Sequence, residues 1–111
     1  MTVQDIVNKL NLTVFCGREG LSAQVTGGYT SDLLSDVMGH ADAGRIWITL
    51  QAHKNVMAIA SLKELAAIVL IKGIAPDGDT IALSDSEGIP VLGSSLGAFE
   101  LSGELYGLIN N

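Results

Sequence analysis

Cysteine occurs once in these 111 residues, at Cys16. An internal disulfide is excluded. So is a zinc site or iron–sulfur cluster built from this chain's thiolates alone, since both need several. Basic residues are scarce too: 6 Lys and Arg stand against 12 Asp and Glu, giving a net charge of −6 and a pI near 4.5. A nucleic-acid or polybasic membrane surface needs clustered Lys and Arg to neutralise phosphates, so neither partner is expected. Apolar runs such as Ala66 to Ile71 fall far short of the ~20 residues of a membrane helix. The first ten residues carry Asp5 and Asn8, which interrupt any secretory leader pattern. A cytoplasmic setting is expected, in which Asn11-Leu12-Thr13 is an accidental sequon.

What is abundant is apolar surface. Hydrophobic residues make up 48% of the chain and charged residues 16%, too apolar a balance for a disordered segment. A chain of this length buries roughly 65% of its unfolded surface, enough for one core without staples. A single domain over residues 1–111 is expected.

Periodicity then divides the chain. Val3, Ile6, Val7 and Leu10 form one helical stripe, with Thr2 and Asp5 spaced as a capping pair. Thr13 to Cys16 reads as a strand, followed by a turn over Gly17 to Gly20 and an extended piece near Gln24 to Thr26. Gly27-Gly28 is expected to interrupt that piece, with Ser31 or Asp32 capping a helix through Leu33, Leu34, Val37, Met38 and Ala41. Ile46 to Leu50 and Ala67 to Ile71 are apolar on both faces, as in a sheet covered on both sides. Helices are expected over Asn55 to Leu65, with a break near the Ser61/Glu64 capping pair, and over Asp79 to Glu87. Pro90 to Leu92 reads as a short strand, and Ser94 or Ser95 as the cap of a last helix facing inward through Leu101, Leu105 and Leu108. Alternating strands and helices predict an α/β fold: a small three-layer domain with a mainly parallel sheet flanked by helices.

Parallel sheets bind ligands beyond the carboxyl ends of their strands. Four turns are expected there: Thr26 to Asp32, with Gly27, Gly28, Tyr29 and Ser31; Gln51 to Asn55, with His53; Lys72-Gly73; and Gly93 to Ser95, with Ser94. Lys54 and Lys72 add positive charge, and helix N-termini favour anions, so a small anionic or nucleotide-like ligand is one reading. The other is that these Gly and Ser residues are plain turn and cap residues. No nucleotide fingerprint or P-loop is present.

No catalytic set is complete. Gly93-Ser94-Ser95-Leu96-Gly97 matches a nucleophile elbow, but no Asp or His follows Ser95. Cys16 lies in an apolar strand pattern and reads as a buried thiol. His40, His53 and Cys16 lack metal-ligand spacing, and Asp77-Gly78-Asp79 lacks the rest of a calcium loop. No metal, no cofactor and no enzyme activity are expected.

One combined pattern goes further. Val25 to Asp32, Ile48 to Asn55, Ala58 to Ser61 and Glu87 to Leu92, in that order, resemble the DRTGG domain family over about residues 2 to 109. Gln24 and Val25 stand where the family name has Asp and Arg, while Thr26, Gly27 and Gly28 match it. The resemblance implies a regulatory module, not a catalyst. Such domains occur in phosphotransacetylases and beside CBS domains in pyrophosphatases, where they support dimer contacts, and are similar to the N-terminal domain of HPr kinase/phosphorylase. Freestanding copies also occur, some of them associated with iron-only hydrogenase systems. By that resemblance the chain is expected to form a homodimer or to dock on a larger metabolic enzyme. The alternative is a structural adaptor subunit of a larger metabolic or hydrogenase-associated complex.

Overall fold

A computed structural model describes residues 1–110. The chain opens with α1 (Val3–Leu10), held at its start by the reciprocal Thr2/Asp5 box expected from the sequence. The Asp5 N–H donates to Thr2 Oγ1 at 3.2 Å, and the Thr2 N–H donates to Asp5 Oδ2 at 2.9 Å. These bonds, to the Thr2 backbone first, hold the Asp5 carboxyl below its ordinary range. Then follow β1 (Thr13–Cys16), a single 3₁₀ turn (Arg18–Gly20), β2 (Gly27–Thr30) and α2 (Leu34–His40). The second half alternates: β3 (Arg45–Thr49), α3 (Asn55–Leu62), β4 (Ala67–Leu70), α4 (Gly78–Glu87), β5 (Val91–Gly93) and α5 (Ala98–Ile109).

The strands form one sheet in the order β1-β5-β4-β3-β2. β2, β3, β4 and β5 are parallel, and β1 joins antiparallel to β5. Alternate residues of the central strands serve two cores. Ile46, Ile48, Ala67, Val69 and Leu92 meet Val3 and Ile6 of α1 and Leu101 and Leu105 of α5. Trp47, Ile68, Leu70 and Val91 meet Val37 of α2 and Val56, Met57 and Ala60 of α3. The continuous apolar runs of β3 and β4 are thereby explained, and the fold is the expected three-layer α/β domain.

Four local expectations need correction. Gln24 to Thr26 is not a strand: Gln24 forms only an isolated bridge to Thr2, and Gly27-Gly28 lies inside β2 rather than ending it. Pairing with β3 overrides the poor strand propensity of glycine, and the missing side chain has a use. A Cβ on Gly28 would stand 2.9 Å from Leu105 Cδ2, so glycine lets α5 lie against this edge strand. Second, neither Ser31 nor Asp32 caps α2; Leu33 holds that position, and Ser31 Oγ instead accepts the Leu33 N–H at 3.1 Å. Third, no second short helix starts at Ser61, and α3 ends at Leu62: Ser61 Oγ donates to Glu87 Oε2 at 3.2 Å, and Glu64 takes a left-handed φ of 55°. Fourth, Gly97 rather than Ser94 or Ser95 precedes α5, with Ser94 Oγ accepting the Leu96 N–H at 3.1 Å.

Candidate functional site at the carboxyl edge of the sheet

The parallel strands deliver residues 31–33, 50–54, 71–77 and 94–97 to one edge. Ser31, Asp32, Gln51, His53, Asn55, Ser94 and Ser95 therefore share that edge. Thr26, Gly27 and Gly28 do not. Thr26 is fastened at the opposite end of β2, where its N–H donates to Gly44 O at 2.9 Å and its hydroxyl to Ala43 O at 2.9 Å. Gly27 and Gly28 line a separate groove of about 150 Å³ against α5, with Thr30, Ser102 and Tyr106. Tyr29 lies within β2 on the α2 side, where its hydroxyl donates to Asp36 Oδ1 at 2.9 Å. The expected Thr26 to Asp32 turn thus contributes only its last two residues to the carboxyl edge, because four of its residues are strand.

Asp32 laces two strand ends together. Its Oδ1 accepts Thr49 Oγ1–H at 2.8 Å and the Leu50 N–H at 2.7 Å. Gln51 completes the junction: its Nε2 donates to Asp32 O at 3.0 Å. That bond orients the Gln51 amide, since the opposite orientation would set two carbonyl oxygens together. Gln51 Oε1 is then the atom that meets His53 Nε2 at 2.9 Å, so His53 Nε2 carries the proton. His53 Nδ1 is a buried ring nitrogen with no hydrogen-bond partner among the described residues. Thr49, a buried polar residue, is the member of this group that sequence reasoning missed. Its signal was a hydroxyl closing an otherwise apolar strand.

The helices that begin at this edge differ in charge. α4 and α5 have Asp79 and Glu100 in their first turns, which already complement their positive ends. α3 has no acidic residue in its first turn and no side-chain cap. Its Val56 and Met57 N–H groups close on the His53 and Lys54 carbonyls at 3.2 and 3.0 Å. Toward the edge, the N–H groups of Lys54 and Asn55 have no such partner among the described residues. Lys54 stands at the cap position, and Lys72 is exposed on the next loop with a left-handed φ of 57°. The most electropositive corner of the edge is therefore the start of α3.

Beside it, the Ser31 and Tyr29 hydroxyls and the neighbouring His40 hold the Asp36 carboxyl below its ordinary range. Partial burial, then the Asp36 carboxylate, pushes the Tyr29 phenol up. Burial likewise raises the Cys16 thiol, which fits an inert core residue. Among the described residues no three His, Cys, Asp or Glu side chains are grouped to hold a metal ion. No described helix is long and apolar enough to cross a membrane.

No protein-family model matches the chain, and no curated protein matches it in sequence. Its fold is similar to the crystal structure of the CBS and DRTGG domains of the regulatory region of Clostridium perfringens pyrophosphatase, complexed with the activator diadenosine tetraphosphate. The TM-score is 0.71 at 14% identity, covering 94% of this chain and 45% of that one. The chain thus spans less than half the length of that structure. At this identity the likeness is one of architecture; it supports a DRTGG-like fold, and the similar protein is a regulatory region rather than a catalytic one.

Proposed function

We propose that this chain is a single DRTGG-like regulatory domain that binds a small phosphate-bearing, nucleotide-like ligand at the start of α3 and acts as a dimer in a cytoplasmic enzyme system. The observation that carries the reading is the α3 corner: exposed Lys54 and the Lys54 and Asn55 N–H groups, which have no backbone partner among the described residues, in a chain of net charge −6, with exposed Lys72 on another loop of the same edge. An exposed cation beside free N–H groups at a helix start favours an anion in an acidic protein. Gln51, His53 and Asn55, next to it in the chain, supply polar groups for the ligand, and Ser31, Asp32, Ser94 and Ser95 offer further polar groups along the same edge. Thr26, Gly27, Gly28 and Tyr29 act at a distance, by letting β2 pack. The nucleotide bound by the similar regulatory region is consistent with this class of ligand.

Thermal unfolding in the presence of adenosine triphosphate, diadenosine tetraphosphate, acetyl phosphate and inorganic phosphate tests the reading. A ligand at about ten times its Kd adds ~1.4 kcal/mol, or about 5 °C for a domain of this size. Lys54→Glu is expected to remove the shift. No shift with any of the four would overturn the ligand reading. The adaptor reading is favoured instead by the exposed apolar side chains of α2, α3 and α4, and predicts a stable complex whose formation no anion alters.

A further inference from the structure

The helices α3 and α4 run side by side, both beginning at the carboxyl edge, and a groove of about 460 Å³ lies between them. Met57, Ala58, Leu62 and Leu83 line its middle; Lys54 and Glu87 stand at its two ends. The only polar residues of α3 are Asn55 at its start and Ser61 near its end. Its eight residues, Asn-Val-Met-Ala-Ile-Ala-Ser-Leu, include no charge. A helix with so few polar residues is expected to be covered over most of its surface. Val56, Met57, Ile59 and Ala60 are buried here, while Ala58 faces out and Leu62 is 66% exposed. Leu33 and Met38 on one flank and Ile81 and Leu83 on the other extend the exposed apolar face. A patch with an apolar centre and a polar rim is the anatomy of a protein interface.

The charges identify the occupant. Lys54 precedes the first residue of α3, and Glu87 is tied to Ser61 near its last turn. Seven residues of helix separate those levels, about 10 Å. A two-fold rotation about an axis midway between them exchanges the ends, so the face is complementary to itself. Ala58 lies at that midpoint and is small enough for two helices to approach to about 8 Å.

We propose that the α3–α4 face is the contact between two copies of this chain, packed about a two-fold axis at Ala58, with Lys54 of each copy opposite the partner's Glu87. The dimer itself rests on the regulatory reading above; its pairing engages the same Lys54 that the ligand reading uses, so Lys54→Glu bears on both readings, whereas Glu87→Lys and Leu62→Asp lie outside the ligand corner and test the face alone. The contact buries Leu62 and Leu83 of both copies and gives α3 the covering its sequence requires.

Sedimentation velocity on the whole chain, with charge reversals, provides the test. Lys54→Glu or Glu87→Lys alone sets like charges together twice and is expected to weaken the dimer at least about tenfold. The double reversal restores opposite pairs and is expected to recover it. Leu62→Asp is expected to give a monomer with an unchanged circular dichroism spectrum, since this side chain supports no core. Ala58→Cys is expected to form a disulfide across the axis on mild oxidation, whereas Phe99→Cys, on the opposite layer, is not. A dimer indifferent to Leu62→Asp and to the reversals would overturn this face while leaving dimerisation standing. A monomer even at millimolar protein would overturn both.

Discussion

At the scale of the residue, the first turn after β1 is the most tightly determined point. Gly17 has a left-handed φ of 72°, and its N–H donates to Asp85 Oδ1 at 2.7 Å. A Cβ there would overlap the Ile89 carbonyl oxygen and Ser84 Oγ. Backbone cannot swing aside as a flexible side chain can, so Gly17→Ala is expected to cost about 2–4 kcal/mol in a urea titration. Gly28→Ala meets only the tip of Leu105 and is expected to cost less. Some of this scale was legible: Cys16 is the buried thiol its apolar surroundings implied, and Gly88 ends α4 in the left-handed conformation. Ser31, Asp32 and Ser94 were read as helix caps and instead stabilise the loops before the helices. The same short polar side chains suit both roles, and spacing alone does not separate them.

At the scale of the element, β3 and β4 were legible because an apolar run covered on both faces has no competing reading. β2 was not. A strand beginning Gly-Gly has no side-chain pattern to read, and its position follows from pairing with β3 and from contact with α5. α2 is a related example: its seven residues carry no side-chain cap, it packs through the buried Val37, and its Asp36 accepts from Tyr29 of β2 and faces His40 of its own last turn at 3.2 Å. Because the folded Asp36 carboxyl is held below its ordinary value, its contribution is fully present above that value and is lost as pH falls through the lowered one. Asp36→Asn is expected to flatten the acid limb of a thermal-stability profile below about pH 4 and to leave the neutral limb's slope unchanged.

At the scale of the whole molecule, the three layers and the mainly parallel order followed from alternation of elements, whereas the gathering of loops at one edge required strand order. β5 and β4 lie inside the sheet with β3, and β1 and β2 are its margins. Amide hydrogen exchange is therefore expected to be slowest in β3 and β4, whose backbone is paired on both sides beneath both cores. Faster exchange in β4 than in β2 would contradict that order of stability. Trp47, the one tryptophan of the chain, is fully buried in β3 and yet its indole N–H donates to Ser31 O at 2.8 Å, on the loop that opens the carboxyl edge. The protein therefore carries a single built-in chromophore wired to its rim: an event that displaces that loop alters the indole's surroundings and shifts its emission, so movement of the edge can be followed optically without a label.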